Sequence, residues 1–410
     1  MTFEQKLDQL AEIAVRVGLG IKEGQEMVLT ATVDTLPLVR RITAHAYEAG
    51  ASLVTTLLSD EESSLLRYRH GKDASFDKAP GWLYDGMAKA YASGAARMAV
   101  TGANPALLAN EDPAKVSRAN HASSIAYRPA MELITRHAIN WTIVPAATEA
   151  WAKLVFPNLP ADKAVAELWE AIFAATRVGQ ADPVATWKQH DANLHHRADY
   201  LNQKRYHALH FRGPGTDLTV GLADDHLWLG GGTLAHNGQY CIPNMPTEEV
   251  FTTPHKDRVE GTVTSTKPLS YQGTLIEQIS VRFEKGRIIE AKAATGQAVL
   301  EKMISTDEGA RQLGEVALVP HSSPISKSGI LFWNTLFDEN AACHIALGQA
   351  YSTCLVNGDS LTTEQLAAKG ANESLIHVDW MIGSGQISID GVAKDGSHEP
   401  LMANGEWVSA

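Results

Sequence analysis

The sequence predicts an α/β N-terminal domain with a mainly parallel sheet, followed by an α+β domain with much antiparallel sheet. Three observations carry this. The chain has 410 residues, and a single hydrophobic core rarely grows past about 250–300 residues, so two domains are expected. The first half alternates buried-strand and helix patterns, which imply βαβ units and a parallel sheet. The second half has short alternating runs joined by tight turns, which imply antiparallel pairing. The change of character falls near residue 205, giving domains 1–205 and 206–410.

The elements follow in order. Leu7, Leu10, Ala11 and Ala14 form one helical stripe that Gly18 would end. EMVLTAT (26–32) reads as a buried strand. Asp34 is placed to cap a helix from Pro37 to about Glu48, with Gly50 as terminator. ASLVTTLL (51–58) is the next strand and completes a βαβ unit. ARMAVTG (96–102) and NWTIVP (140–145) read as later strands, and Asp162 to Ala175 and Pro183 to about Asn202 as helices. The turn after the first strand, TVDTLP, has no glycine cradle for a pyrophosphate, so the sheet reads as scaffold and not as a dinucleotide site. In the second half, HALHFRG (207–213) and TDLTVGL (216–222) bracket a Gly-Pro-Gly turn. SVRFEKGRIIEAKA (280–293) is a hairpin about Lys285-Gly286. TGQAVLEKMI (295–304) reads as a short helix, and GEVALVP (314–320) and LIHVDWMIG (375–383) as strands.

Composition narrows the function. A formal net charge of -12 argues against sequence-independent nucleic-acid or anionic-membrane binding. The N-terminal MTFEQKLDQL has neither the basic region nor the apolar run of a secretory signal. No stretch approaches the length of a membrane span. The cysteines, Cys241, Cys343 and Cys354, form no CxxC pair, which suits reduced thiols and a cytoplasmic location. There is no HExxH, no GxSxG and no Walker loop, which removes weight from the gluzincin arrangement, serine hydrolysis and phosphoryl transfer.

What the second half does carry is acid and imidazole beside apolar segments. Glu248 and Glu249 lie in NMPTEEVFTTP, and Glu315 opens GEVALVP. Asp338 and Glu339 precede His344 in FDENAACH, where Asp338-Glu339-Asn340 reads as a helix start. His377 and Asp379 alternate with Val378 and Trp380, so they share one face of a strand. Singly, each has an ordinary structural reading: a solvated loop acid, a strand-end carboxylate, a helix-start acid, a core histidine. Together they need a common partner, because buried charge is costly unless paired or coordinated. One or two divalent ions would satisfy Glu249, Glu315, Glu339, His344, His377 and Asp379 at once, and mixed carboxylate and imidazole donors suit zinc, cobalt or manganese. Glu339 and His344 are five apart and converge only if Glu339 lies before a helix or in its first turn.

SPISKSGILFWNTLFDENAACHIALGQAY (323–351), NMPTEEVFTTPHKDRVEGTV (244–263) and the HVD at 377–379 closely resemble motifs of the M29 family of metallo-aminopeptidases. The resemblance implies an α/β N-terminal domain, a catalytic second domain, and a homodimer with enclosed active sites. It implies two divalent ions per subunit held by Glu249, Glu315, Glu339, His344, His377 and Asp379. It selects Glu249 over Glu248, makes Glu315 the bridging carboxylate and places Tyr351 near the reaction centre. Ser352-Thr353-Cys354 after Tyr351, and Trp333, depart from the family pattern without removing a ligand.

The expected activity is removal of N-terminal residues from short peptides with free N-termini, with Glu315 and Tyr351 in the chemistry. Two rivals are a metal-dependent deacylase or amidase, which would accept N-acetylated substrates, and a non-catalytic ligand-binding protein with a structural metal. His190, His195 and His196 read as surface residues of a polar helix, while His255 and His321 flank the motifs and are candidates to touch substrate.

Overall fold

The computed structural model describes residues 1–271 and 274–408. The chain divides into two compact units, Met1–His190 with Gly232–Pro246, and Asp191–Gly231 with Thr247–Ala410. The boundary expected at 205–206 thus lies inside the second unit. The long helix Pro183–Lys204 carries Leu194, Ala198 and Leu201 into that unit's hydrophobic core, and residues 232–246 return to the first. No helix among the described residues is long and apolar enough to cross a membrane, and all three cysteines are buried free thiols.

The first unit has the expected parallel sheet, with strands in the order Leu53–Ser59, Glu26–Thr32, Ala96–Thr101 and Trp141–Pro145. Two details correct the sequence reading. The first helix, Phe3–Ile13, continues through a π-helical turn, Ala14–Leu19, and ends at Gly20, not Gly18. Gly20 adopts φ 59°, and a Cβ there would meet Tyr240 O at 2.0 Å, so it is the residue a left-handed cap requires. Gly18 lies inside the turn, where a Cβ would meet Met245 Sδ at 2.5 Å. Asp34 does not cap the next helix. It lies in a one-turn 3₁₀ segment, and Leu36–Glu48 starts after Thr35 with Pro37 in its first turn, where a missing N–H costs nothing.

Besides the two-stranded ribbon of Leu269–Tyr271 with Thr274–Ile276, the second unit contains two large antiparallel sheets. The larger runs Arg287–Lys292, Ser280–Glu284, Pro254–Thr264, Thr216–Leu222, Ala208–Gly213, Ser388–Val392, His398–Ala403 and Glu406–Trp407. The smaller runs His377–Met381, His344–Gly348, Leu313–Leu318, Val250–Thr252 and Leu229–Gly230. Their inner faces share one core: Phe211, Val220 and Phe283 from the larger sheet, and Val316, Leu318, Ile345, Leu347, Val378 and Trp380 from the smaller.

A bulge determines which face of the smaller sheet each carboxylate takes. Leu313 pairs with Leu347, but Glu315 pairs with Ala346. Side chains two apart on a regular strand share a face. Here Gly314 is the extra residue, so Leu313 enters the core while Glu315 points to the opposite face. A Cβ on Gly314 would lie 2.3 Å from Gln349 O and 2.4 Å from Gly348 O, so the bulge closes only over a glycine. Gly314→Ala is expected to destabilise the second unit by about 1–3 kcal/mol, as overpacking does. A lowered denaturation midpoint by tryptophan fluorescence is the readout, and an unchanged midpoint would mean that the bulge relaxes freely.

Candidate metal centre

The smaller sheet sets out a row of side chains on its outer face. Glu315, Ala346 and Asp379 are directly opposite one another on three adjacent strands. His344 lies two residues before Ala346 and His377 two before Asp379, so both imidazoles join the same face. Ala346, in the middle of the row, contributes only a methyl group, which leaves the space above it to the longer side chains. Glu249 immediately precedes the strand Val250–Thr252 and shares the face of Phe251, which pairs with Ala317.

Glu339 arrives from a different element. The sequence reading had a helix beginning at Asp338–Asn340; instead a short helix, Thr335–Asp338, ends there and a 3₁₀ turn, Glu339–Ala341, follows. The helix start lies further back, where the Asn334 side chain accepts the Leu336 N–H. His344 opens a strand, so its angular relation to Glu339 on a helix does not arise.

Five of the six expected residues converge in two overlapping triads. In each, Glu249–Glu315–His344 and Glu315–His377–Asp379, the donor atoms lie within 4.8 Å of one another. His344 Nε2 is 3.1 Å from Glu249 Oε2 and 3.5 Å from Glu315 Oε1. His377 Nε2 is 3.5 Å from Glu315 Oε2 and 3.4 Å from Asp379 Oδ1. Glu315 therefore offers one oxygen to each triad, the disposition of a bridging carboxylate. Glu339 belongs to neither triad; it lines a pocket with Asp379, Trp333 and Met381.

The hydrogen bonds around the imidazoles assign their donors. His377 Nδ1 is 2.7 Å from Gln349 O and His344 Nδ1 is 3.1 Å from Ala342 O. A carbonyl oxygen only accepts, so each Nδ1 carries a hydrogen and each Nε2 faces the carboxylates. Glu249 Oε2 is buried without a hydrogen bond of proper geometry, although His344 Nε2 is so close. Lone pairs held at such distances repel unless a proton or a metal cation lies between them. The donor set fits a divalent cation on both counts.

Without an ion, protons take that place. Burial opposes charge on His377, but Asp379 and Glu315 outweigh it and the pKa is pushed up to about 11. Burial likewise opposes charge on His344, yet Glu249 and Glu315 hold it well above the ordinary imidazole value. Burial would raise Glu315, but His344 and His377 prevail and lower it to about 2. Glu249 is raised by burial, only partly offset by His344. Glu339 is raised well above its usual range by desolvation and then by the charges of Glu249 and Asp379.

Tyr351 is at the edge of this group. Its ring centroid is 4.7 Å from that of His377 and 6.3 Å from that of Phe251. The residue is 45% exposed, yet crowded enough on its packed side that desolvation, then the charges of Glu315 and Asp379, raise its phenol well above the ordinary value. The other flagged histidines lie in neither triad. His255 Nδ1 accepts the Asp257 N–H, His321 Nδ1 pairs with Ser326 Oγ, and His195 lies 3.7 Å from Asp191 on the long helix.

Sequence reasoning missed the residues that hold the donors in place. Asn340 is 0% exposed. Its Oδ1 accepts the Glu248 N–H at 2.7 Å and its Nδ2 donates to Leu336 O at 3.0 Å. It thereby fastens the chain before Glu249 to the turn carrying Glu339. The Asp338 carboxylate accepts from the N–H groups of Phe332 and Asn334 at 2.8 and 3.0 Å, anchoring the preceding loop. The sequence showed Asn340 only as part of an expected helix start beside Glu339; a backbone carbonyl such as that of Gln349 leaves no side-chain signal at all.

An α/β unit joined to an antiparallel unit with a carboxylate-bridged pair of donor triads is the build of a metal-dependent protein. The family model for thermophilic metalloproteases (M29) matches residues 3–407, and the chain belongs to that family. It is 52% identical over 406 residues to aminopeptidase T of Thermus thermophilus, covering 99% of each chain. It is 45% identical over 407 residues to aminopeptidase AmpS of Bacillus subtilis, again covering 99% of each. The solved structure of wild-type AmpT from Thermus thermophilus superposes with a TM-score of 0.95 at 51% identity, covering 100% of both chains. The resemblance read from the second-half motifs thus extends along the whole chain.

A charged His377 at neutral pH has a consequence. Its pKa of about 11 means that, without ions, the imidazole carries a proton that ligation must displace. Zinc uptake by stripped protein at pH 7 is expected to release protons, and affinity to rise with pH as long as the pH stays below the imidazole pKa of about 11. Calorimetry in two buffers of unequal ionisation enthalpy measures the release; heats independent of buffer would show that the histidines are already neutral.

Proposed function

We propose that this protein is an aminopeptidase that uses two divalent ions, one held by Glu249, Glu315 and His344 and the other by Glu315, His377 and Asp379, with Glu339 completing the set. One observation supports this most: Glu315 serves both triads through different oxygens, in a chain that matches aminopeptidases over 99% of its length. The reading includes zinc, cobalt or manganese as the metal, short peptides with free N-termini as substrates, a cytoplasmic location and a homodimer.

When bound, the ions supply Lewis acidity and lower the pKa of a coordinated water toward neutrality. The chain's own groups do the rest. Glu315 keeps the two sites at a fixed spacing, with an imidazole at each oxygen. Tyr351, its phenol held protonated, donates a hydrogen bond to the scissile carbonyl oxygen as negative charge grows there. A glutamate of this set that is not fully engaged by the ions would pass a proton to the departing amine. Binding of a peptide's free α-amine beside the ions and acidic groups would favour exopeptidase cleavage.

Substitution separates these roles. Glu315→Gln is expected to abolish hydrolysis of an amino-acid p-nitroanilide together with bound metal. A wild-type rate with metal retained would remove Glu315 from the site. Tyr351→Phe is expected to keep its metal and lose about 10²–10³-fold in kcat, the usual cost of removing one oxyanion donor. An unchanged kcat would take Tyr351 out of the mechanism.

A further inference from the structure

The larger sheet of the second unit carries another group of metal-binding side chains, on strands that contribute nothing to the two triads. Ala208–Gly213, Ser388–Val392 and His398–Ala403 are neighbouring strands there. Asp390 is directly opposite His210 on one side and Pro400 on the other. His398 lies two residues before Pro400, so alternation brings His210, Asp390 and His398 to one face. Their donor atoms lie within 4.8 Å of one another. Side-chain exposure rises from 9% at Asp390 to 19% at His210 and 44% at His398. The group is thus rooted in the sheet and open to solvent at one end.

Hydrogen bonding defines what this group presents. His210 Nε2 is 2.7 Å from Asp217 Oδ1, and its Nδ1 is 3.2 Å from Arg212 Nη1. A guanidinium can only donate, so Nδ1 is the bare lone pair and Nε2 carries the hydrogen toward Asp217. The same guanidinium reaches Asp390 Oδ2 at 2.7 Å, and His398 Nδ1 lies 3.2 Å from that oxygen. A cation, supplied by the chain itself, already sits between an imidazole lone pair and a carboxylate. The order carboxylate–histidine–cation is the one that orients imidazole ligands in metal sites. Arg212 is 46% exposed, so its head can swing into water without unfolding anything.

We propose that His210, Asp390 and His398 form a third divalent-ion site, of the zinc, nickel or copper class, which the Arg212 guanidinium fills when no ion is bound. Two imidazoles and one carboxylate are a three-ligand zinc set with a position left for water, and imidazole donors favour those metals over magnesium or calcium. Because the ligands come from three strands, a bound ion ties the hairpin 388–403 to the strand 208–213. It adds stability in proportion to the logarithm of its concentration over its dissociation constant. This site stands on its own residues and does not depend on the catalytic reading.

Zinc is the probe. Protein holding its catalytic ions is dialysed against graded free zinc, and bound zinc is counted by plasma mass spectrometry. Wild type is expected to saturate with one zinc more than His398→Ala or His210→Ala. Asp217→Asn should weaken the extra site about 10–100-fold, as loss of an outer-shell carboxylate does. Arg212→Ala, which removes the competing cation, should tighten it. Equal saturation in wild type and both histidine variants overturns the proposal, as does an Arg212→Ala variant that binds more weakly. Thermal unfolding guards against a misfolded variant: zinc should raise the midpoint of wild type more than that of either histidine variant, and equal shifts would also overturn the site.

Discussion

The second unit depends on one change of parity. Between Leu313 and Glu315 the strand gains a residue, and the side chains exchange faces. Without it, Glu315 would enter the core that Leu313, Val316 and Leu318 help to build, and an unpaired carboxylate there is costly. With it, the strand serves both purposes: one face seals the core and the other carries the carboxylate that both triads share. Gly314 permits the bulge because two carbonyl oxygens occupy the space a Cβ would need. The chemistry of the site therefore rests on a residue with no side chain.

Around Glu315 the remaining parts follow from the cost of burying charge. Three carboxylates and two imidazoles are gathered on one sheet face. The strand cores behind them are Val316, Ile345, Leu347, Val378 and Trp380, all apolar and tightly packed, so the donor-bearing backbone cannot relax to separate like charges. The imidazoles compensate by holding protons well beyond their ordinary range. In a frame this fixed, each triad suits a divalent cation, which would replace the protons with a stronger neutralising charge.

Legibility from sequence followed the same physics. Strands such as 26–32, 216–222 and the hairpin at 280–292 were readable because their apolar residues alternate or run together between turn residues. The donors were readable because Glu315, His344, His377 and Asp379 interrupt apolar strands. Helices 61–70 and 113–135 escaped, for each buries few residues: Leu65 in the first, and Ala119, Ala130 and Ile134 in the second. No apolar stripe announces them. The end of the first helix was misplaced because both Gly18 and Gly20 are glycines, and only the backbone reveals which one adopts a positive φ. Asn340 and Ala346 were unreadable for another reason: their importance lies in what they reach or leave empty, and sequence spacing contains neither.

The two groups of candidate metal donors in this unit also explain each other. In both, donors from adjacent strands project from one sheet face, and the hydrogen bond on the far nitrogen of an imidazole determines which nitrogen faces inward. They differ in what neutralises the carboxylates. At the triads no lysine or arginine is paired with Glu249, Glu315 or Asp379 among the described residues, and the imidazoles alone must carry the positive charge. At Asp390 an arginine is already present. A guanidinium is always charged and mobile on its stem, so it can give way to a stronger cation and return when that cation leaves. The buried group has no such guanidinium, so its carboxylates depend on the imidazole protons in a way that Asp390 does not.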